Sequence, residues 1–447
     1  METREKTTGW GRYPVVESSV QRARSLGDLA DLAAAGPTSL LAQGSCRSYG
    51  DACLSDRVVS ALPLNRFLSF DAASGILRAE AGATIEETIR FFLPRGWFPP
   101  VTPGTKHPTL GGCIASDVHG KNHHGEGSLA NYVDELEMVL ADGDRVTCSR
   151  QQLPELFWAT MGGMGLTGFI YAATVRLKRV ESSFIQLRSE RTGNLEETCR
   201  LLVETQDSSE YSVAWIDTAA RGRACGRGLG LFGTHTAAPE GRNGRKGPFP
   251  LHRDDAVELP GVMPSIAFSR LGVSLFNGAY YRRQLRSRTV RTVHYDPFFY
   301  PLDRLANWNR FYGRRGFLQY QLVVPFAAGC ESLRDILRLL ERRNIVSTLA
   351  VLKTFGAFES GPLSFPLAGF TLALDFPCRP TVIAALKEVT DVVVDAGGRL
   401  YLAKDAILEP QQFDGMYPRL AEFLKVKEQY DPGCRFRSHL SDRLGLT

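Results

Sequence analysis

The residues that most constrain the fold of this chain are 103–127, which read PGTKHPTLGGCIASDVHGKNHHGEG. The glycines and small residues of this stretch let a ligand approach backbone N–H groups that bulky side chains would shield. The same stretch contains His119, His123 and His124. It therefore predicts either a metal held by histidines or a phosphate-bearing cofactor held by the backbone.

A metal site is the weaker of these two interpretations. On a helix, histidines at positions i and i+4 would share one face, but Gly120, Gly125 and Gly127 favour a loop. None of the nine cysteines has the CxxC spacing of a zinc or thioredoxin-type site. The sequence therefore predicts no bound metal.

Two further glycine-rich loops favour a cofactor. Residues 44–51 (GSCRSYGD) follow a predicted strand at 40–43, and residues 162–168 (GGMGLTG) follow a predicted helix at 153–161. Residues 163–168 match GxGxxG, but a helix precedes them and a strand follows, which is the reverse of a Rossmann motif. Three such loops could surround a long, doubly phosphorylated cofactor without a Rossmann fold.

Composition and charge exclude several functional classes. A chain of 447 residues with 43% hydrophobic and 23% charged residues is typical of a soluble protein of two domains. Basic patches at 221–227, 241–245 and 282–291 lack the aromatic residues of a nucleic-acid groove, so no nucleic-acid partner is predicted. They suit a phosphate or an anionic membrane surface, which makes peripheral membrane contact an open expectation.

The sequence also predicts a location and a coarse secondary structure. No secretory signal and no transmembrane segment is visible, and nine scattered cysteines suit a reducing compartment, so a cytoplasmic protein is expected. Apolar spacing predicts a helix over 17–36, and Thr84 with Glu87 forms a capping box opening a helix over 85–95. Residues 235–259 are rich in glycine, proline and charge, and are predicted to form a mobile loop.

Several stretches together resemble the decaprenylphosphoryl-β-D-ribose 2′-oxidase family, within the vanillyl-alcohol-oxidase-type flavoproteins. HGKNHH and FLQYQ are specific to that family, whereas the glycine-rich loops alone would indicate only the wider superfamily. The resemblance covers almost the whole chain. Its stretches are GWGR (9–12), GSCRSYGD (44–51), PGTKHPTLGGCIASDVHGKNHH (103–124), LFWATMGGMGLTG (156–168), WNRFYGRRGFLQYQ (308–321), KTFG (353–356), PLSFPLAGF (362–370) and GGRLYLAKD (397–405).

The resemblance implies an α+β fold of two domains. Residues 1–182 would form a PCMH-type FAD-binding domain, 183–398 a substrate-binding domain with an antiparallel sheet, and 399–447 a segment returning to the FAD domain. FAD should be bound non-covalently, because the first loop carries Tyr49 and lacks the histidine that tethers FAD in many relatives. The residues expected to bind FAD are Gly44, Ser45, Arg47, Ser48, Tyr49, Gly50, Asp51, Gly104, Thr105, Gly111, Gly112, Ser116, His119, Asn122, Gly168, Ile170 and Tyr401.

The resemblance also implies catalytic and substrate-binding residues. Oxidation of a secondary alcohol removes the hydroxyl proton and passes a hydride to the flavin. Lys404 matches the active-site lysine of the family, and would act as a base or stabilise the developing alkoxide. Tyr49 and His119 are the other expected catalytic residues. Those matching the sugar-phosphate pocket are Tyr300, Arg310, Gln319, Gln321 and Lys353.

The implied reaction is oxidation of the 2′-hydroxyl of a polyprenylphosphoryl-β-D-ribose to the 2′-keto sugar. A separate NAD(P)H-dependent short-chain reductase would complete epimerisation to the arabinose form, a donor for cell-envelope biosynthesis. One alternative is an aldonolactone- or alditol-type FAD oxidase that acts on a free sugar. Another is a flavin-free scaffold that binds polyprenyl phosphates.

Two positions depart from the family pattern in the stretch GFTLALDFP. Ala373 stands where mycobacterial members carry a cysteine, and Thr371 stands where the family has asparagine. Oxidation is expected to survive without that cysteine, whereas a thiol-directed inhibitor should lose its anchor. Thr371 is expected to affect which of several closely related substrates the enzyme accepts.

Overall fold

The first half of the chain is built on two small sheets. The computed structural model describes residues 3–36, 39–239, 247–252, 256–258 and 261–447. Up to residue 179 the strands are β1 (Thr3–Thr8), β2 (Val15–Arg22), β3 (Leu41–Gln43), β4 (Arg57–Ser60), β5 (Phe67–Asp71), β6 (Ile76–Glu80), β7 (Trp97–Phe98), β8 (Val133–Val139), β9 (Arg145–Ser149), β10 (Phe169–Arg176) and β11 (Lys178–Arg179). The helices are α1 (Leu26–Ala34), α2 (Ile85–Phe92), α3 (Leu110–Ala115), α4 (His123–Glu126) and α5 (Pro154–Thr160).

The topology of these sheets explains why the GxGxxG stretch is not a Rossmann motif. The four-stranded sheet has the order β1-β2-β4-β3, and the five-stranded sheet has the order β5-β6-β10-β8-β9. The loop at 162–168 leads from α5 into β10, which runs antiparallel between β6 and β8. A Rossmann motif instead joins a strand of a parallel sheet to the following helix.

The second half of the chain is organised around one large sheet. Its strands and the smaller ones beside it are β12 (Phe184–Thr192), β13 (Tyr211–Ile216), β14 (Gly228–Thr236), β15 (Val257–Glu258), β16 (Arg288–His294), β17 (Leu305–Ala306), β18 (Phe317–Pro325), β19 (Leu349–Phe355), β20 (Gly369–Pro377) and β21 (Arg399–Leu400). The helices are α6 (Leu195–Glu204), α7 (Arg270–Arg282), α8 (Tyr295–Phe299), α9 (Gly329–Arg342), α10 (Pro380–Asp395), α11 (Pro410–Met416), α12 (Leu420–Tyr430) and α13 (His439–Leu444). The sheet has eight strands in the order β16-β12-β14-β13-β19-β20-β18-β21, and neighbouring strands are antiparallel.

Alternation along β18 gives this sheet two different faces. Leu318, Tyr320 and Leu322 are buried on the face that contacts α9 and α10, where the Tyr320 hydroxyl lies 2.9 Å from that of Thr390. Each fully buried leucine contributes about 2 kcal/mol of stability. Gln319 and Gln321 must point to the opposite face, because successive side chains of a strand alternate.

The structure confirms some local predictions and overturns one. Both hydrogen bonds of the capping box between Thr84 and Glu87 are present at the start of α2. The helix predicted over 17–36 is wrong in its first part, because β2 occupies Val15–Arg22 and α1 begins only after Ser25. Short apolar residues in that stretch satisfy both periodicities, and pairing with β1 and β4 selects the strand.

Several predicted segments lie partly outside the described residues. Of the loop predicted over 235–259, residues 240–246, 253–255 and 259 fall outside them, and so does the basic patch at 241–245. The stretch 103–127, predicted to be a loop, contains the short helices α3 and α4. Across the described ranges, no helix combines the length and the apolar character that crossing a membrane requires.

Candidate active site

The first glycine-rich loop packs directly against the segment that carries Lys404. Lys404 ends a 3-10 helix, Leu402–Lys404, immediately after β21. The Tyr49 N–H donates to the Ala403 carbonyl at 2.9 Å, and the Lys404 ammonium nitrogen lies 3.6 Å from the centre of the Tyr49 ring. A Cβ on Gly50 would lie 1.6 Å from the Asp405 carbonyl oxygen, so only glycine permits this contact. Two predicted catalytic residues are thereby brought together.

Arg443 holds the first glycine-rich loop and the segment that carries Lys404 together. Arg443 of α13 donates to the two carboxylate oxygens of Asp51 at 2.7 and 2.8 Å, and to Asp405 at 2.9 Å. Such bidentate charge-assisted pairs hold geometry as well as charge. Asp51, predicted to contact FAD, therefore has its carboxylate engaged by the protein.

Lys404 is half-buried, and the acid whose charge acts on it is Asp375. Burial lowers the pKa of Lys404 to about 7, although the charge of Asp375 works in the opposite direction. Burial raises the pKa of Asp375 to about 6, opposed by a 2.6 Å hydrogen bond from the Gln319 amide and by Lys404. At neutral pH both the ammonium and the amine form of Lys404 are therefore accessible.

His119 has a polar partner at each ring nitrogen. Its Nδ1 lies 3.0 Å from Lys353 Nζ, and its Nε2 lies 3.0 Å from the Gln321 amide nitrogen. Burial, together with Lys353, His123 and Lys404, lowers the pKa of His119 well below its usual value, so the ring is neutral. A neutral imidazole carries one N–H, and the Gln321 amide nitrogen can only donate, so Nε2 accepts from Gln321 and the histidine proton is on Nδ1.

The protonation state of Lys353 is linked to that of His119. The Lys353 side-chain nitrogen also lies 3.2 Å from the Gly120 carbonyl, and burial, Lys121 and Lys404 lower its pKa to about 7. As an amine it accepts from the Nδ1–H of His119, which is the tautomer that the Gln321 amide nitrogen requires. As an ammonium it would donate to Nδ1 and shift the histidine proton to Nε2, where Gln321 could accept only through its amide oxygen. A change of charge on Lys353 is therefore linked to the tautomer of His119.

These side chains form one row on the large sheet. The register pairs Gln319 with Asp375, Gln321 with Ala373, and Lys353 with Thr371, so residues of β18, β19 and β20 share a face. The Gln321 amide donates to the Thr371 hydroxyl at 3.2 Å. We call this row the site face: Gln319, Gln321, Lys353, Thr371, Ala373 and Asp375.

Two residues predicted to bind the sugar phosphate lie outside this row. Tyr300 is fully buried, and its hydroxyl lies 2.6 Å from that of Thr102. The Arg310 side chain is exposed, lies 3.7 Å from Glu258, and borders a separate open cavity with Arg12. The structure does not bring either residue to Lys404.

The glycine-rich stretches fit a phosphate-bearing cofactor in part. A Cβ on Gly104 would meet no atom within 4 Å, and one on Gly112 only the Thr109 hydroxyl. In the first loop, Arg47 Nε and Ser48 Oγ are buried without a hydrogen-bond partner among the described residues. Open backbone beside unpaired donors suits an anionic group.

Other predicted FAD contacts have structural partners of their own. The Asn122 amide donates to the Pro100 carbonyl at 2.8 Å. A Cβ on Gly44 would collide with the Thr109 hydroxyl, and one on Gly111 with the Ala81 side chain. Their glycine identity is explained by protein packing. The remaining positions are Ser45 in the first loop, Thr105 after Gly104, Ser116 with its carbonyl bonded to the Tyr401 hydroxyl, Gly168 before β10, Ile170 within β10, and Tyr401 stacked on Phe365.

Sequence reasoning missed two ionisable groups of the site. Lys121 donates to the Phe299 carbonyl at 3.0 Å, and burial lowers its pKa to about 8, opposed by Asp303. Asp375 was the second. A signal for each was available: Lys121 is two residues from His119, and Asp375 alternates with Thr371 and Ala373 along β20.

His123 contributes no visible metal ligand. Its ring centre lies 6.5 Å from that of His119, and both its ring nitrogens are buried without a partner among the described residues. Burial, with Lys353 and His124, lowers the pKa of His123 to about 3. In the part of the chain that the structure describes, no group of three histidine, cysteine or acidic side chains is arranged to hold a metal.

Comparison with known proteins identifies the family. An FAD binding domain model matches residues 20–149, which include both the first loop and the 103–127 stretch. Decaprenylphosphoryl-beta-D-ribose oxidase of Mycolicibacterium smegmatis is 32% identical over 99% of this chain and 98% of its own length. The chain belongs to the decaprenylphosphoryl-β-D-ribose oxidase family. As a member it is an FAD-dependent oxidoreductase, with the α+β fold of a vanillyl-alcohol-oxidase-type flavoprotein.

Further matches show how far the similarity extends around the oxidase family. A D-arabinono-1,4-lactone oxidase model matches residues 376–444, which contain Lys404 and Arg443. An uncharacterised Streptomyces coelicolor protein is 34% identical over 81% of this chain and 100% of its own length. Human Delta(24)-sterol reductase is 30% identical over 30% of this chain and 25% of its own length. The predictions of FAD and of an oxidoreductase are confirmed, and the flavin-free scaffold is overturned.

Proposed function

We propose that this oxidase oxidises the 2′-hydroxyl of a polyprenylphosphoryl-β-D-ribose to the 2′-keto sugar. The observation that carries the proposal is near-full-length similarity to an oxidase named for that lipid-linked ribose. The half-buried Lys404, beside Tyr49 and with a pKa of about 7, supplies the group that the chemistry needs.

FAD, when bound, supplies the hydride acceptor. As an amine, Lys404 takes the hydroxyl proton; as an ammonium, it stabilises the alkoxide that forms as the proton leaves. Tyr49 positions Lys404 by presenting its ring face to the ammonium nitrogen. His119 is held by Gln321 and Lys353 in a defined orientation at the same site.

FAD is held non-covalently in this proposal. The first loop has no histidine to form a tether, and Arg47 and Ser48 offer unpaired donors to the cofactor. Acid precipitation of the purified yellow protein should release all flavin into the supernatant. Flavin that remains with the pellet would contradict this part of the proposal.

The domains follow the predicted boundaries in this proposal. Residues 1–182 bind FAD, 183–398 carry the sugar site, and 399–447 return to the FAD-binding unit after β21, which still pairs with β18 in the large sheet. The separate sheets of the two halves support this division. The contacts of Arg443 with Asp51 and Asp405 support the return of the last segment.

The 2′-keto product requires a second enzyme to become arabinose. A short-chain reductase using NAD(P)H would deliver hydride to the opposite face of the ketone, and so invert the carbon. Incubation of the lipid-linked ribose with both proteins and NAD(P)H should yield the arabinose form. Neither protein alone should do so, and full epimerisation by this chain alone would remove the second subunit from the proposal.

The decisive test is an absorbance spectrum recorded during anaerobic titration with polyprenylphosphoryl-ribose. The flavin band should bleach as the ribose is added and stay unchanged with the matching polyprenyl phosphate. A protein that stays colourless with added FAD, or a band that does not respond, would overturn the proposed activity.

A second candidate is an aldonolactone- or alditol-type oxidase that acts on a free sugar. The match of residues 376–444 to D-arabinono-1,4-lactone oxidase favours it. The same titration with free ribose, arabinose, their lactones and their alditols separates the two. Faster bleaching by a free sugar than by the lipid-linked ribose would select this second candidate.

A further inference from the structure

Helix α7 attaches to the large sheet by a single narrow stripe. Val273, Asn277 and Tyr281 are buried and follow one another at intervals of four residues. The Asn277 amide donates to Asp217 at 2.8 Å, and the Tyr281 hydroxyl donates to the Thr192 carbonyl at 3.0 Å. Residues four apart share one side of a helix. Gly278 is buried too and Tyr280 packs on Trp215, so the outward side of α7 is the one that carries Leu271 and Leu275.

That outward side is apolar rather than polar. Leu271, Leu275 and Phe276 are 62%, 67% and 63% exposed. Large apolar side chains grouped on a surface mark a contact with another molecule or with a membrane. Exposed apolar residues on either side of α7 in the sequence extend the set, and we call the whole the α7 patch: Val262, Ile266, Leu271, Leu275, Phe276 and Leu285.

The sequence segment that carries the α7 patch has charges of one sign. Residues 261–291 contain six arginines and neither aspartate nor glutamate, which exceeds the net charge of +5 for the whole chain. Arg282 is the last residue of α7, Arg283 caps it and Arg286 follows; all three are exposed, and none forms an ion pair with a carboxylate of the described residues. Arg288 lies 3.6 Å from Glu190. Apolar residues beside unpaired cations are typical of helices that lie in the surface of an anionic bilayer.

The α7 patch is connected to the active site by stacked aromatic rings. Phe268, just before α7, stacks on Tyr312 with ring centres 4.8 Å apart, and Tyr312 stacks on Phe317 at 4.5 Å. Phe317 contacts Tyr49 edge to face at 5.4 Å, and Lys404 lies over Tyr49. A continuous series of ring contacts therefore joins Phe268, at the start of α7, to Lys404.

We propose that the α7 patch docks this enzyme on the surface of an anionic phospholipid bilayer. The apolar side chains enter the bilayer surface, and Arg282, Arg283 and Arg286 contact lipid phosphates. The use of this contact rests on the proposed function: the prenyl chain of the substrate stays in the bilayer while its ribose reaches Lys404. The docking itself requires no catalysis, so it can be tested separately.

The first experiment measures binding of the FAD-loaded protein to sedimented lipid vesicles. The parent should bind vesicles that contain phosphatidylglycerol, bind pure phosphatidylcholine vesicles less, and dissociate as salt rises. The double variant Leu275→Glu, Phe276→Ser should bind at least about tenfold more weakly. Val203→Glu, at an exposed apolar residue of α6, is the matched control and should bind as the parent does.

A second pair of variants tests the charges. Arg282→Glu with Arg283→Glu should weaken binding by roughly fivefold or more for each arginine, whereas Arg338→Glu on the exposed side of α9 should not. Equal binding by the parent and both double variants would overturn the proposal. A dimer that Leu275→Glu dissociates, without any vesicle binding by the parent, would assign the α7 patch to a second copy of this chain.

Activity then separates docking from the proposed reaction. The Leu275→Glu, Phe276→Ser variant should oxidise a water-soluble, short-chain prenylphosphoryl-ribose as the parent does, and lose oxidation of the long-chain substrate held in vesicles. Loss of both would place the change in the active site and contradict docking. If the parent binds vesicles but oxidises neither substrate, the proposed reaction fails and the docking stands.

Discussion

The two faces of strands β18, β19 and β20 have opposite chemistry although they are built from alternate residues of the same strands. One face buries Leu318, Tyr320 and Leu372 in the core. The other is the site face, where Gln321 and Lys353 contact His119. One side of each strand therefore supplies stability, and the other supplies chemistry.

This difference teaches how the protein tolerates buried polar groups. Lys353, Lys404 and Asp375 all have pKa values shifted by burial toward their neutral forms. Burying such groups costs stability, which the apolar face offsets. Substitutions on the two faces should therefore separate: activity falls on one side, and the free energy of unfolding falls on the other.

The largest expected effect is at Lys404, which stands over the site face. Lys404→Ala should lower the rate of substrate-driven flavin bleaching roughly a thousandfold, because it removes the proton acceptor or alkoxide partner. FAD content should match that of the parent, and Lys425→Ala, an exposed lysine of α12, is the matched control. Turnover at the parental rate would remove Lys404 from the mechanism.

On the apolar face, Leu372→Ala should produce the largest loss of stability. Leu372 is fully buried in the core, so its truncation should lower the free energy of unfolding by about 3 kcal/mol. Its rate per bound FAD should stay within about twofold of the parent, since the side chain points away from the site. Chemical denaturation and single-turnover bleaching measure the two quantities. A selective loss of rate would break the comparison between the faces.

Lys353→Met should have the opposite profile. It removes the partner of His119 Nδ1 and of the Gly120 carbonyl, and should lower kcat/KM by roughly 10- to 100-fold. The free energy of unfolding should not decrease, because a methionine replaces a buried ionisable group with similar volume. Lys387→Met on the surface of α10 is the control. A destabilised variant with normal kcat/KM would show that Lys353 supports the fold and does not take part in the reaction.

The pH profile of bleaching distinguishes the two roles of Lys404. If the amine is the base, the rate should rise with pH through about 7; if the ammonium stabilises the alkoxide, it should fall through the same region. The negative charge of Asp375 raises the pKa of Lys404, so Asp375→Asn should lower that pKa. The pH at which the bleaching rate changes should then move to a lower value in either case. If the pH at which the bleaching rate changes is the same in Asp375→Asn, a group other than Lys404 controls the pH dependence.

The smallest expected effect is at Tyr320→Phe. The change removes the hydroxyl that lies 2.9 Å from the Thr390 hydroxyl, on the apolar face. Because Thr390 keeps its own bond to the Leu386 carbonyl, the free energy of unfolding should fall by about 1 kcal/mol. Bleaching should be unchanged. A rate effect here, larger than that of Leu372→Ala, would indicate that the two faces are coupled.

Local chemistry could be predicted from the sequence where neighbours along the chain decide it. The capping box at Thr84 and Glu87, and the alternation of FLQYQ along β18, depend on residues a few positions apart. The order of helix, loop and strand around 162–168 likewise excluded a Rossmann motif. The helix prediction was wrong for residues 17–22, because pairing with β1 and β4 outweighs the local periodicity of apolar residues.

The rest required contacts between distant residues. Asp51 and Arg443 are 392 positions apart, and no local pattern marks them as partners. The Tyr300 hydroxyl meets that of Thr102, 198 residues away, and no local pattern marks that contact either. Asp375 became visible as a site residue only once β20 was aligned with β18. Burial and pairing across the sheet, rather than residue type, decide such roles.

The bond between Arg443 and Asp51 also bears on when the active site can form during protein synthesis. The ribosome makes the 44–51 loop early and Arg443 nearly four hundred residues later. Until Arg443 is made, Asp51 and Asp405 lack the cation that they share in the folded protein. The contacts that hold this loop against Asp405 can therefore form only after Arg443 has been made.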